Sequence, residues 1–231
     1  MRRFIFFLSL LAFLSACKKD EPYYAPQSVP GRIRFDTLAV GQVSRYLCLN
    51  GRHYYTISFD GYFEYTDDTL QLEIVAQDAN GFKVAETLHY AGAVNTWIDG
   101  PWMDSTYYYY LRVSNDTLRI IPVNTNYAYS RIFAFHARHD GIPLQKKESV
   151  EVKIKDWRTT FPSYADRFEG HVENYTQFGK TYDYLNVIVE NSGMAADGNG
   201  ETYIFSKPFG IVRFSTYGSW TGKGYGWDLL P

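Results

Sequence analysis

Thr69-Leu70-Gln71-Leu72-Glu73-Ile74-Val75-Ala76-Gln77 decides the fold class of this chain. Leu70, Leu72, Ile74 and Ala76 fall on one side of an extended backbone, and Gln71, Glu73 and Gln77 on the other. That is the two-residue period of a strand with one buried and one wet face. The period recurs in Val150, Val152 and Ile154 against Glu151, Lys153 and Lys155, and in Leu185, Val187 and Val189 against Asn186 and Glu190. Half-buried strands of this kind belong to antiparallel sheets. Between such runs stand Asn50-Gly51, Asp60-Gly61, Asn80-Gly81, Asp99-Gly100, Asp140-Gly141 and Asp197-Gly198, dipeptides that tolerate the positive φ of tight turns. No segment longer than about ten residues combines helical periodicity with caps. The expected class is all-β: a dozen or so strands in a large antiparallel sheet forming an open or half-closed barrel or a sandwich, with little helix. Composition agrees, since 18% of residues are aromatic and 21 are tyrosine, a type that favours strands.

Residues 1–16 and the cysteine after them, MRRFIFFLSLLAFLSAC, start with two arginines and an apolar run from Phe4 to Leu14. The run is too short for a membrane-spanning helix, which needs about 20 residues, and marks a signal peptide. Leu14-Ser15-Ala16-Cys17 resembles the lipobox of bacterial lipoproteins. That resemblance implies cleavage before Cys17, a diacylglycerol thioether on its sulfur and an acylated new N-terminus; the plainer alternative is an ordinary secretory leader with an incidental cysteine. Lys18-Lys19-Asp20-Glu21 is similar to the surface-export signal of lipoproteins in one Gram-negative phylum, and equally suits a solvated tether. Pro22 to Pro30, PYYAPQSVP, holds three prolines and favours an extended linker. The expected organisation is a signal peptide over 1–16, a lipidated cysteine and linker over 17–30, and an all-β body over 31–231, with halves at 31–128 and 129–231.

Loss of Arg2 and Arg3 with the leader takes the formal charge from -2 to about -4. No basic stripe remains for nucleic acid. With Cys17 lipidated, Cys48 has no disulfide partner, so the body must rest on an apolar core. Cys48 itself is expected in that core, within the strand-like Arg45 to Leu49, with a reactive thiol as the sharper alternative.

Leu38-Ala39-Val40-Gly41-Gln42-Val43-Ser44-Arg45-Tyr46 is similar to the opening of families of exported bacterial β proteins that have no assigned activity. Glu201 to Phe214, ETYIFSKPFGIVRF, resembles their aromatic strand, tight turn and Gly-apolar-Val strand, with Pro208-Phe209 where Gly-Val is more usual. Some of those families are related to half-closed barrels that carry lipids or lipoproteins. The resemblance therefore implies a half-barrel and, as one role, carriage in an apolar cleft.

Asp36-Thr37-Leu38, Asp68-Thr69-Leu70 and Asp116-Thr117-Leu118 suit a turn aspartate followed by a strand-starting threonine. They also resemble an acceptor motif for O-glycosylation of exported proteins, which makes Thr37, Thr69 and Thr117 candidate acceptors. Tyr107-Tyr108-Tyr109-Tyr110, on a strand, sends two rings to each face; with Trp97 and Trp102 it is a candidate ligand face for a sugar or a protein, or else simple cross-strand packing. His136 and His139 point to opposite sides of a strand and make a poor metal pair. Asp197, Asn199 and Glu201 alternate as in some calcium loops but lack the later acidic ligand, so neither metal nor cofactor is expected. No nucleophile elbow, no serine next to a general base and no framed carboxylate pair is present. The functional expectation is a non-enzymatic lipoprotein of the outer membrane, at the cell surface rather than the periplasmic face, that presents a β-sheet face to a protein or envelope component. A glycan-binding accessory protein and a lipid or lipoprotein carrier are the alternatives.

Overall fold

A computed structural model of the chain describes residues 31–52, 62–89, 106–123, 141–145, 149–151, 154–155, 158–159, 167–191, 199–218 and 223–231. Cys17, Trp97, Trp102, His136, His139 and Asp197 lie outside the described residues. The strands are β1 Val43–Arg52, β2 Tyr62–Asp78, β3 Gly81–His89, β4 Thr106–Ser114, β5 Thr117–Pro122, β6 Ile142–Pro143, β7 Val150–Glu151, β8 Ile154–Lys155, β9 Arg158–Thr159, β10 Arg167–Gln177, β11 Lys180–Asn191, β12 Asn199–Ser206, β13 Gly210–Gly218 and β14 Lys223–Leu229. No helix occurs among the described residues. Eleven strands form one antiparallel sheet in the order β6-β5-β4-β3-β2-β1-β14-β13-β12-β11-β10, strongly curled into a half-barrel. β7 adds to β10 in parallel, and β8 pairs with β9 alone.

The sheet is two meanders, β1 to β5 and β10 to β14, joined where the first strand pairs with the last. Asn80-Gly81 turns β2 into β3 as its sequence implies. Asn50-Gly51 does not turn: both residues lie in β1, opposite Glu64 and Phe63 of β2 and Tyr225 and Gly224 of β14. A strand with ladders on both sides overrides the local preference of two residues. In the Val150 to Lys155 run, Val150–Glu151 and Ile154–Lys155 belong to different ladders; Val152 and Lys153 lie outside the described residues.

Residues directly opposite each other in a ladder share a face. On one face an unbroken row of buried side chains crosses the sheet: Ile142, Leu118, Leu111, Tyr109, Val84, Leu72, Leu70, Tyr46, Leu229, Trp227, Phe214, Tyr203 and Ile188. Cys48, in β1, is wholly buried in the same core. Each such aliphatic or aromatic side chain contributes roughly 1.5–3 kcal/mol through removal from water. The opposite face is divided. On β2 to β5 it is wet, with Val75, Tyr108, Arg112 and Arg119 exposed. On β11 to β14 and β1 it is buried, with Val187, Ile204, Thr202, Arg213, Ser215, Asp228 and Leu49 all enclosed. One wing therefore has the expected wet side and the other does not.

Residues 31–42 form a strap across one end of the sheet. Gly41 N donates to Ile74 O at 2.7 Å, and Phe35 N donates to Lys207 O at 2.8 Å. The strap thus ties the end of β2 to the β12–β13 turn, and Ile33 and Phe35 plug into the core. The two outermost strands of the sheet, β6 and β7, are separated in the chain by residues 144–149 only. An extended chain of that length spans at most roughly 25 Å, which obliges the edges to curl toward each other.

Gly210 (φ +68°) sits under the strap, and a Cβ there would stand 2.6 Å from the Ile33 carbonyl oxygen; Gly179 (φ +74°) has open space around it. Gly179→Ala is expected to lose about 1–2 kcal/mol from the left-handed backbone alone, and Gly210→Ala clearly more. Urea midpoints of the two variants check this; equal losses would mean that the strap does not press on the β12–β13 turn.

Candidate functional site

Three polar arrangements stand out from the apolar core. The first is the wet face of β2 to β5. Register sends Tyr107 and Tyr109 to the core side, with Tyr109 wholly enclosed, and Tyr108 and Tyr110 to the wet side. Tyr108 is 44% exposed and faces the small Ala85 across the ladder, which leaves the ring uncovered on that side. The Lys83 ammonium lies 4.8 Å from the Tyr108 ring centroid, a cation–π contact that fixes the ring. Tyr110 donates its hydroxyl to Asp78 Oδ2 at 2.7 Å, and this bond holds the Asp78 carboxyl below its ordinary range. Arg112 caps the β2–β3 turn by donating to the carbonyls of Ala79 and Asn80 at 2.9 and 3.2 Å. The result is a pinned platform of Tyr108 and Tyr110 with exposed Val123 beside it, its N donating to Tyr108 O at 3.4 Å, and Lys83 and Arg112 as cations at its rim.

The second is a buried ion pair. Arg213 and Asp228 are opposite each other in the β13–β14 ladder and nearly or wholly out of solvent, at 7% and 0% exposure. Arg213 Nε and Nη2 donate to the two Asp228 oxygens, both at 2.5 Å, a bidentate fork. Tyr65 donates its hydroxyl to Asp228 Oδ2 at 2.6 Å, and the guanidinium carbon lies 5.8 Å from the Tyr175 ring centroid. Burial opposes the Arg213 charge, but Asp228 outweighs it and raises the affinity for the proton. Where this ladder ends, Gln177 Nε2 donates to the carbonyls of Val212 and Leu229 at 3.3 and 3.1 Å, sewing the β10–β11 turn to the strand ends. The pair is satisfied within the fold, so its work is structural.

The third lies at the β10 edge. Parallel pairing of Val150 with Gly170 and Glu151 with His171 brings Ser149 alongside β10. Ser149 Oγ is 3.0 Å from His171 Nδ1, and His171 Nε2 is 3.9 Å from Glu173 Oε1. Tyr184, opposite Glu173, stacks on the imidazole at 5.0 Å and 15°. Ser149 opens on a cleft of about 250 Å³, open solvent included, lined also by Gln145, Glu169, Asn186, Ile188 and Phe205. No local pattern shows a serine next to a base, because Ser149 and His171 are 22 positions apart. The signal that was there is Glu169-x-His171-x-Glu173, a polar row on one side of a strand.

The Asp-Thr-Leu threonines separate by environment. Thr37 is exposed in the strap and donates to Asp36 Oδ1 at 3.1 Å. Thr69 is half-buried within β2 between Leu47 and His89. Thr117 opens β5 after the Asn115-Asp116 turn, half-buried.

Asp228→Ala leaves a buried guanidinium without its counter-ion and is expected to destabilise the fold by about 3–5 kcal/mol; Tyr65→Phe removes one hydrogen bond and costs about 1 kcal/mol. Denaturant titration checks the order. Burial pushes the Tyr46, Tyr65 and Tyr175 hydroxyls above their ordinary value of 10. Their raised native values mean full stability below pH 10, lost as pH rises and the unfolded chain releases protons. Tyrosinate absorbance is expected to show a late group that ionises only with loss of the β circular-dichroism signal. No protein-family model, curated protein or solved structure matches this chain.

Proposed function

We propose that this protein is a lipid-anchored envelope protein, held by Cys17 at the outer membrane and displayed on the cell surface, that binds a protein or envelope component through the wet face of β2 to β5. The observation that carries the reading is the Tyr108 and Tyr110 platform. An exposed aromatic ring fixed by Lys83 and set beside Ala85 offers large contact area at little further entropic cost. Work at that face is binding, not chemistry. The linker and strap support it: the tether enters the body at Gly31, at the end of the sheet that carries the strap.

A glycan suits the same platform, because a sugar ring stacks on a flat phenol with a cation at its rim. Lipid carriage draws less support from the described residues. Trp227, Phe214, Phe205 and Tyr109 fill the core face, where acyl chains would need an apolar cavity.

A photo-crosslinking residue in place of Tyr108 is expected to give a discrete adduct on living cells, and the same residue at exposed Thr181 of β11 none. An adduct that shifts in polysaccharide-containing native gels identifies the partner as a glycan. Equal behaviour of the two positions contradicts the binding face. Release of the Cys17→Ser protein from the membrane fraction tests the anchor separately.

A further inference from the structure

The third arrangement has the parts of an activated nucleophile. We propose that Ser149 is a catalytic serine with His171 as its base, and that the adjoining cleft hydrolyses short-chain acyl esters. This goes beyond the binding role of the β2 to β5 face and assigns chemistry to a different part of the sheet.

A serine hydroxyl is a weak nucleophile until a base within hydrogen-bond reach takes its proton and a third group orients that base. Ser149 and His171 meet the first condition at 3.0 Å. Glu173 stands on the other side of the ring, at ion-pair rather than hydrogen-bond distance. Its carboxylate faces Nε2 at 3.9 Å and favours the tautomer with the proton on Nε2, which leaves the Nδ1 lone pair for Ser149. The two ring nitrogens thus have definite roles, set by which neighbour each one faces. Tyr184 stacks on the ring and holds its plane. His171, Glu173, Tyr184 and Asn186 occupy directly opposed positions of the β10–β11 ladder, a rigid support for a reacting group.

The reaction balances on these groups. Ser149 Oγ attacks the ester carbonyl carbon as its proton passes to His171 Nδ1. The tetrahedral intermediate collapses, the carbon–oxygen bond to the alcohol breaks, and the alcohol leaves with the proton from Nδ1. Water then attacks the acyl-serine, gives a proton to Nδ1, and releases the carboxylic acid as Ser149 Oγ regains its hydrogen. While protonated, the imidazolium lies beside the Glu173 carboxylate. Gln145 and Asn186 both line the cleft; Gln145 gives its Nε2 to Asp116 at 2.7 Å, so the Asn186 amide is the donor of the kind that stabilises an oxyanion. The enclosed part of the cleft is about 20 Å³, little more than one water needs, and the rest lies open to solvent. Phe205 and Ile188 give it an apolar wall, so the acyl group it fits is short, acetyl or propionyl.

A purely structural pair, sewing β7 to β10, makes no covalent adduct, and the test turns on that difference. The mature full-length chain is treated with a fluorophosphonate and digested, and p-nitrophenyl acetate and octanoate are assayed in parallel. The expected result is a phosphonyl adduct on the Ser149 peptide, turnover of acetate in preference to octanoate, and loss of turnover by about 10²-fold or more in His171→Gln. Ser149→Ala abolishes both adduct and turnover. Glu173→Gln, at a half-exposed position, keeps the fold and lowers the rate less. Labelling of the unmutated chain needs no variant to fold. No adduct at Ser149, or turnover no faster than in buffer, overturns the proposal.

Discussion

Seven residue pairs between β1 and β14, from Tyr46 with Leu229 to Arg52 with Lys223, join the first strand of the sheet to the last. Without that ladder the chain would be two open meanders, each with an unpaired edge, and an exposed edge strand invites association with other chains. The ladder closes a loop of about 180 residues. Because closure entropy grows only logarithmically with length, the distance along the chain adds little to its cost at equilibrium. It does place the decisive pairing among the most non-local contacts, which slows folding.

That junction also marks where the sheet changes from wet on one face, over β2 to β5, to buried on both, over β1 and β11 to β14. Core residues continue across it on one side, from Leu70 through Tyr46 to Trp227 and Phe214. On the other side Leu49, Asp228 and Arg213 are enclosed as well. A bidentate ion pair in such a place adds little stability over an apolar pair of the same shape. It is intolerant of misalignment, however, because a slip of one residue would strand two buried charges. The wet wing, free of these demands, is where Tyr108 and Tyr110 stand, and the β10 edge is where Ser149 meets His171. Both sites are thus built at the margins of a rigid centre.

Much of this was legible in the residues. Leu70, Leu72 and Ile74 are buried as their alternation requires, but Ala76 leaves that side, because a register shift after Ile74 sets it opposite Lys83 of the wet face; Cys48 is the core residue its surroundings implied. The antiparallel all-β class follows from alternation and turn spacing; these left barrel and sandwich open, and the half-barrel was what the resemblance implied. On β11 the alternation put Leu185, Val187 and Val189 on one buried side as expected, but the expected wet side failed, since Ile188 is buried on the other in a strand enclosed on both faces. Asn50-Gly51 failed because tertiary ladders outweigh a dipeptide. The β10–β11 turn was illegible for the opposite reason: Phe178 takes positive φ (48°) ahead of Gly179, a conformation a phenylalanine rarely adopts, and its ring packs on Tyr65 at 5.2 Å. The four tyrosines were divided correctly between faces, since that needs only the strand period. Ser149 and His171 could not be paired, since their meeting depends on a parallel contact that no local pattern encodes.

The account rests on β1 and β14 belonging to one cooperative sheet. Amide hydrogen exchange followed by mass spectrometry, on the intact mature chain at low denaturant, tests this directly. Peptides covering 46–49 and 226–229 should be the slowest to exchange and should open together with both meanders in a single transition. If β10 to β14 keep their protection after β1 to β5 have lost theirs, the junction is not what holds the fold, and the account is wrong at its centre.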